Sequence, residues 1–247
     1  MRNIIRCAGL LAFLAVSDAA AFETRATRLQ AIKTIGVISA LGDEMSVTRA
    51  GLTPLNSPGQ SVSIRSWGLD DLVVQQAAAL LNGRFRVQPV SYPRDAFAAI
   101  RESVVVPVNL ARGDPFKAMV RTDVSPRGLD AYLVISRAKS KLGSGRNVHG
   151  IGFAEYRTLL ASYRVIHALY EVRVIDGKTF DVIEKRVASP LGNIETMRLQ
   201  GPSRLVDGSF DGPAGIETLR AAIVDLITRS LPLTLGDMHL VNPQPSQ

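Results

Sequence analysis

The residues best suited to chemistry lie in a basic, glycine-rich segment, residues 137–152 (RAKSKLGSGRNVHGIG). This segment carries four cationic side chains, at Arg137, Lys139, Lys141 and Arg146. Exposed backbone amides together with clustered positive charge can hold an anionic group. We therefore predict a loop whose candidate ligand is an anionic small molecule or polymer. The alternative is a solvated loop with no specific ligand, which is common for long polar connections.

The sequence contains no motif that is typical of a metal site, a nucleotide-binding loop or a catalytic centre. The histidines are His149, His167 and His239, and no pair of them has a metal-ligand spacing such as His-Glu-x-x-His. The sequence contains no Gly-x-x-x-x-Gly-Lys-Ser/Thr loop, and the glycines after residue 142 do not open a helix that follows a strand. We therefore predict no catalytic residue, no metal ligand and no cofactor.

Two short blocks faintly resemble hydrolases that place a Gly-Asp-Ser nucleophile after the first strand and a late Asp-x-x-His pair. They are residues 42–44 (GDE) and residues 236–239 (GDMH). Glu44 stands where those enzymes need a serine, and a carboxylate there cannot form their acyl intermediate. The late pair has the spacing Asp-x-His. A hydrolase of unrecognised type is retained as an alternative, and both blocks are otherwise interpreted as turns.

Alternating strand and helix patterns must position any such site. Residues 32–41 and 129–136 are apolar at almost every position, which is typical of central strands covered on both faces. Peripheral strands are predicted over residues 44–50 and 61–65, and an edge strand over residues 84–91. Helices are predicted over residues 68–82 and 94–101, and Trp67 is expected to pack in the core or to staple the first of them. Residues 104–108 and 114–121 fit no single pattern.

The second half of the chain is richer in strands. Residues 162–175 and 179–188 are extended runs separated by Asp176-Gly177-Lys178, a pair of runs and a turn that indicate a long β-hairpin. A final amphipathic helix is predicted over residues 214–230, followed by a loosely held tail. The fold class is thus α/β, a mixed sheet with flanking helices, in a single domain over residues 22–235 with a flexible tail over residues 236–247.

The first 21 residues have the pattern of a secretory signal peptide. Arg2 and Arg6 precede an apolar run, residues 8–16, that is about half the length needed to cross a bilayer. Small residues follow it, so we expect cleavage after about Ala21 and a periplasmic protein without a transmembrane segment. An uncleaved membrane anchor is the alternative. The only cysteine is Cys7, so cleavage would leave a chain that cannot form a disulfide.

The charge of the chain is positive but not concentrated. It carries 29 Lys and Arg against 22 Asp and Glu, a formal net charge of +7. The basic residues are spread along the whole length, whereas a nucleic-acid partner would require a dense basic patch. We therefore predict no nucleic-acid partner, and we expect the net positive charge to attract the protein to anionic surfaces.

The order of elements resembles the small α/β domain of bacterial envelope proteins such as the amino-terminal domain of TolB and the CsgG-like and LpoB-like periplasmic domains. The resemblance rests on residues 32–41 (IKTIGVISAL), 129–136 (LDAYLVIS) and 170–183 (YEVRVIDGKTFDVI). It implies a non-enzymatic module that binds other envelope proteins through loops or an exposed sheet edge. No functional residue is carried over, and a lipidated cysteine is missing. An envelope interaction module is the leading expectation, with anion binding through residues 137–152 as the alternative.

Overall fold

Two five-stranded sheets form the framework of the protein. The computed structural model describes residues 24–50, 60–100, 114–142, 146–157, 162–191, 199–207, 210 and 212–241. The expected signal peptide and residues 104–108 lie outside this described part. The expected α/β class with a mixed sheet and flanking helices is confirmed.

The first sheet, sheet A, contains the central strands that the sequence predicts. Its strands are β1 (Thr34–Ala40), β4 (Arg86–Gln88), β5 (Ala131–Arg137), β10 (Tyr170–Asp176) and β11 (Val182–Val187), in the order β11-β10-β5-β1-β4. β1 pairs in parallel with both β4 and β5, and β10 runs antiparallel to β5 and β11. Six of the seven residues of β1 are buried, as expected for a strand covered on both faces.

The second sheet, sheet B, continues several strands of sheet A. Its strands are β2 (Glu44–Ala50), β3 (Gln60–Ser63), β8 (Ile151–Arg157), β9 (Ser162–Ala168) and β12 (Ser203–Leu205), in the order β12-β9-β8-β2-β3. Only residues 41–43 separate β1 from β2, and only Leu169 separates β9 from β10. The predicted hairpin over residues 162–188 is confirmed at its Asp-Gly turn, where β10 pairs with β11, but its first arm is shared between two sheets.

Among the described residues, five α-helices cover the sheets. They are α1 (Arg25–Ala31), α2 (Leu69–Leu81), α3 (Arg94–Ala99), α4 (Pro115–Asp123) and α5 (Gly212–Asp237). α2 and α5 supply one hydrophobic cluster with β1, β5 and β10, whereas α3 and α4 supply a second cluster against the opposite face of sheet A. Trp67, which precedes α2, is 8% exposed and belongs to the first cluster, so its predicted packing role is confirmed.

The last helix is longer than the sequence predicts. α5 continues through Pro232 to Asp237, and the side chains of Met238 and Leu240 are fully buried beyond it. Proline lacks the N–H that would bond to Thr228 O in a helix. Gln76 Nε2 donates to that carbonyl at 2.9 Å, which satisfies it from α2. The predicted helix end at Ser230 is therefore wrong, and so is a loose tail starting at residue 236, because Met238 and Leu240 are packed in the core.

The basic segment is also more ordered than predicted. β6 (Lys139–Leu142) and β7 (Arg146–His149) pair antiparallel as a hairpin outside the two main sheets. Leu142 and Val148 are buried in a third, smaller hydrophobic cluster with Val165 and Leu169. The interpretation of residues 137–152 as an irregular loop is therefore wrong, because alternate residues of the segment find an apolar surface to cover.

Candidate functional site

The outer edge of β3 is an exposed edge of sheet B. β3 is the last strand of the sheet, and within the described residues only β2 pairs with it. Just beyond the strand, Ile64 N donates to Asp43 O at 2.7 Å. In an antiparallel pair the bonded positions alternate, so the N–H and C=O groups of Val62 face β2 and those of Ser61 and Ser63 face outward. We call these outward groups of Ser61 and Ser63 the β3 edge.

The side chains of β3 leave this edge open. All four residues of the strand are exposed, and Val62 retains 37% of its surface. The sequence Gln-Ser-Val-Ser contains neither the proline nor the lysine with which proteins commonly block an edge strand. A partner strand could therefore approach without displacing a bulky or charged side chain of β3.

The connection between β1 and β2 sets the position of this edge, and polar groups hold it from two sides. Asp70, at the start of α2, accepts hydrogen bonds from Ser39 Oγ at 2.5 Å, Leu41 N at 3.0 Å and Gly42 N at 3.1 Å. On the other side Arg137 donates through Nε to Leu41 O and through Nη2 to Glu44 O, the latter at 2.8 Å. The Asp70 carboxylate and the Arg137 guanidinium thus hold the end of β1, the connection that follows it and the first residue of β2.

Tyr92 completes the neighbouring edge of β1. β4 pairs with β1 only as far as Gly36, which leaves the later backbone groups of β1 without a strand partner on that side. The Tyr92 hydroxyl replaces the strand: it accepts from Ser39 N at 3.1 Å and donates to Ser39 O at 3.0 Å. Burial raises the pKa of this hydroxyl above its ordinary value, so it remains protonated and able to donate.

A small polar pocket adjoins the β3 edge at the carboxyl end of β1. Its volume is about 240 Å³, and it is lined by Gly42, Asp43, Arg65, Asp70, Arg94, Asp95 and Ala98. The chain passes from β1 to β4 on one side of β1 and then to β5 on the other, so the pocket lies at a topological switch point, where open α/β sheets bind ligands. The volume is below the roughly 300 Å³ at which small-molecule sites usually begin.

The charged groups around the pocket are mostly paired with each other. Arg65 Nε lies 3.0 Å from Asp43 Oδ2, and Arg94 Nη2 lies 2.5 Å from Asp71 Oδ1. The hydrogen bond from Arg94 lowers the pKa of Asp71 below its ordinary value. All four side chains are at least 40% exposed, so each pair contributes little to stability and can exchange with solvent. Gly42 and Asp43 of the first hydrolase-like block line this pocket, but Glu44 of the same block and His239 of the second block do not.

A buried charge cluster lies on the opposite face of sheet A beneath α4. Arg173, which is completely buried, donates through Nη1 to Ser136 Oγ at 2.8 Å and through Nη2 to Glu171. Its Nε lies 3.1 Å from Asp114 Oδ2, and its guanidinium lies 4.3 Å from the centre of the Phe116 ring. Arg173 therefore links the start of α4 to sheet A, and its charge has a structural role.

The structure describes the side chains of three of the four cations that were predicted as an anion site. Arg137 points to the connection between β1 and β2, as described above. Lys139 and Lys141 alternate along β6, and β7 places His149 and Asn147 directly opposite them. The side chain of Arg146 lies outside the described residues. Arg137 thus bonds to the connection between β1 and β2, whereas Lys139 and Lys141 share the face of the hairpin that is turned away from the small cluster.

The β3 edge was not singled out by sequence reasoning, although the strand itself was predicted. The sequence feature that could have indicated this edge is the strand Gln60–Ser63, which has no apolar face to bury, next to β2, which has one. The local sequence explains Asp70 only as an acidic residue in the first turn of α2, where the helix dipole favours it. Its three hydrogen bonds to the end of β1 depend on the tertiary fold, which no local pattern contains.

Two searches for other kinds of site gave no candidate in the described part of the chain. No group of three or more His, Cys, Asp or Glu side chains there could hold a metal ion. No helix in the same residues is both long and apolar enough to cross a membrane.

Comparisons with known proteins find only weak structural matches, at very low identity. No family model and no curated protein sequence matches the chain. A DUF330-family protein from Xanthomonas campestris is 8% identical over 84% of each chain, with a TM-score of 0.38. Lipoprotein GNA1162 from Neisseria meningitidis is 16% identical over 80% of this chain and 99% of that chain, with a TM-score of 0.28. The PelC dodecamer from Paraburkholderia phytofirmans is 12% identical over 87% and 89%, with a TM-score of 0.29.

These likenesses are too weak to assign a family or a function. The structural neighbours include a lipoprotein and a DUF330 protein, both at low identity. The expected resemblance to the TolB, CsgG-like and LpoB-like domains is not confirmed by a family model or a curated match.

Proposed function

We propose that this chain is a non-enzymatic interaction module of the bacterial cell envelope that binds a partner by adding a strand of that partner to β3. The observation that supports the proposal is the β3 edge, where the backbone groups of Ser61 and Ser63 face away from sheet B. Strand addition is a common mode of peptide recognition, since main-chain hydrogen bonds supply affinity without a dedicated pocket. The periplasmic location in this proposal comes from the signal-like first 21 residues.

The size of the edge sets the affinity that we expect. Two outward residues offer two donors and two acceptors, hence four hydrogen bonds, each with a net contribution of about 1 kcal/mol in water. After the cost of association, four such bonds alone give a weak complex. Side chains of the partner must therefore add contacts, and the exposed Val62 is the apolar group next to the edge that they can cover.

A proline substitution at the edge tests the proposal directly. In Ser63→Pro the lost N–H faces outward, so β2 keeps its hydrogen bonds while a partner strand loses one donor and meets the pyrrolidine ring. Ser63→Ala keeps the N–H and is the matched control. A photo-crosslinking amino acid at Val62 should give a discrete adduct with an envelope protein in cells, and Ser63→Pro should abolish that adduct while Ser63→Ala preserves it. An adduct that survives Ser63→Pro would refute strand addition.

A second candidate function is attraction to an anionic surface through the β6–β7 hairpin. The register that places His149 and Asn147 opposite Lys139 and Lys141 supports it, because it brings two cations to one face. Replacement of both lysines by glutamine should then reduce co-sedimentation with vesicles that contain anionic phospholipid and leave the weak binding to zwitterionic vesicles unchanged. Arg137 should be left intact in this experiment because it supports the connection to β2. Equal co-sedimentation of the wild-type protein with both kinds of vesicle would exclude this candidate.

A further inference from the structure

His167 is a completely buried histidine between sheet B and the β6–β7 hairpin. It lies on β9, and its neighbours across the sheet are Gly152 on β8 and Ser203 on β12. Two positions earlier on the same face of β9, Val165 packs in the small cluster with Leu142 and Val148 of the hairpin. The imidazole is therefore covered by the base of the hairpin.

The hydrogen bonds of this imidazole are incomplete. Nδ1 lies 2.9 Å from Gly150 O, a carbonyl that can only accept, so Nδ1 carries the proton and donates. Nε2 has no hydrogen-bond partner among the described residues. A second proton on Nε2 would place an unsatisfied donor and a positive charge in a dry site. Burial accordingly lowers the pKa of His167 from 6.5 to about 4.

The covering hairpin is a separate two-stranded sheet that is not part of either main sheet. Its base makes backbone hydrogen bonds from Ala138 N to Leu169 O, from Gly150 N to Ala138 O and from Leu169 N to Gly150 O, each between 2.9 and 3.0 Å. Beyond its base, Ser46 Oγ donates to His149 O at 3.1 Å and Gln200 N donates to Ser140 Oγ at 2.7 Å. Its apolar contribution comes from Leu142 and Val148, in a cluster much smaller than the two that flank sheet A. Small units of this kind open locally at a lower free energy than the whole fold.

The charged groups around the imidazole do not favour its protonated form. From the hairpin side, His149 lowers the pKa of His167 further by charge repulsion, and the Arg137 side chain packs against Gly150. From β2, Glu44 lies on the face of Ser46, but its carboxylate accepts from Ser61 at 2.8 Å. Gly152 and Ser203, which face His167 from β8 and β12, do not titrate.

We propose that acid releases the β6–β7 hairpin from sheet B, because protonation of His167 is compatible with the open hairpin and not with the closed one. The closed form binds fewer protons than the open form between the two pKa values, so closure is favoured above pH 6.5 and is progressively lost as the pH falls toward 4. For these two values, opening becomes about 20-fold easier at pH 5 than at pH 7. The open form would expose the apolar side chains of Val165 and Leu169 as an acid-dependent surface.

Native-state hydrogen exchange of the full chain tests this proposal. Protection factors of amides in β6 and β7, corrected for intrinsic exchange rates, should fall about 20-fold from pH 7 to pH 5 while those of β1 and β5 change much less. In His167→Asn the amide nitrogen can still donate to Gly150 O but cannot titrate, so the selective loss should disappear. His149→Asn, which removes the exposed neighbouring histidine, is the matched control and should keep it.

Three results would overturn the proposal: hairpin protection that does not depend on pH, an equal loss in β1 and β5, or a selective loss that persists in His167→Asn. Should His167→Asn fail to fold, NMR titration of the imidazole in the wild-type chain decides. A folded-state titration near 6.5 would contradict the argument, whereas titration well below it, accompanied by shifts of the hairpin amides, would support it.

Discussion

Replacement of Asp70 should destabilise the protein far more than replacement of its neighbour Asp71. Asp70 is 7% exposed and accepts three hydrogen bonds, two of them from the buried backbone N–H groups of Leu41 and Gly42. In Asp70→Ala both backbone donors lose their acceptor, at about 1–3 kcal/mol each, so we expect a loss of about 3–5 kcal/mol. Asp70→Asn should cost about 2 kcal/mol, because the amide presents an NH2 group to one of the donors.

Asp71 is a matched control, since it has the same side chain in the same helix turn. Its carboxylate is 55% exposed and pairs with Arg94, which is 51% exposed. Such a pair contributes less than about 1 kcal/mol, so Asp71→Ala should lie near the wild type. Urea denaturation followed by the fluorescence of Trp67, the only tryptophan, would measure both free energies of unfolding. Equal losses in the two variants would show that packing alone, and not Asp70, holds the connection to β2.

Three further substitutions probe the packing around this framework. Gly152→Ala would bring a Cβ atom within 2.2 Å of Ser46 O, so its melting temperature should fall by several degrees, whereas Gly83→Ala, with no neighbour within 4 Å, should not. Arg173→Met leaves the buried Glu171 and the half-buried Asp114 without their guanidinium and should cost about 3–5 kcal/mol in urea denaturation; a loss below about 1 kcal/mol would contradict the structural role. Tyr92→Phe should cost about 1–2 kcal/mol with an unchanged denaturant slope, and a neutral result would mean that water replaces the hydroxyl.

The sequence predicts the elements of this fold well where the pattern is local. Continuous apolar runs identify β1 and β5 as central strands, and the Asp-Gly turn identifies the β10–β11 hairpin. Asp176 explains that turn physically, since its carboxylate accepts from Lys178 N and Thr179 N at 2.8 and 2.9 Å. Helix α2 is likewise predicted from its acidic first turn and the Asn-Gly stop after it.

The errors arise where a distant contact decides the outcome. The last helix was predicted to end at Ser230, but Gln76 satisfies the carbonyl that Pro232 leaves without a donor, and the helix continues to Asp237. The glycines of residues 137–152 suggested a loop, but Leu142 and Val148 find an apolar face on sheet B. In both places the local signal was real, and a partner from another part of the chain outweighed it.

The same dependence on distant contacts bears on the candidate site. The β3 edge has no buried side chain of its own, so its position follows from β2, and the position of β2 follows from the connection held by Asp70 and Arg137. Partner binding at the edge should therefore respond to changes in these two residues, although neither belongs to β3. Arg137→Gln tests this dependence. If the variant stays folded but loses the adduct at Val62, the connection between β1 and β2 determines the position of the β3 edge. Retention of the adduct would mean that β2 and β3 keep their alignment through packing in sheet B alone.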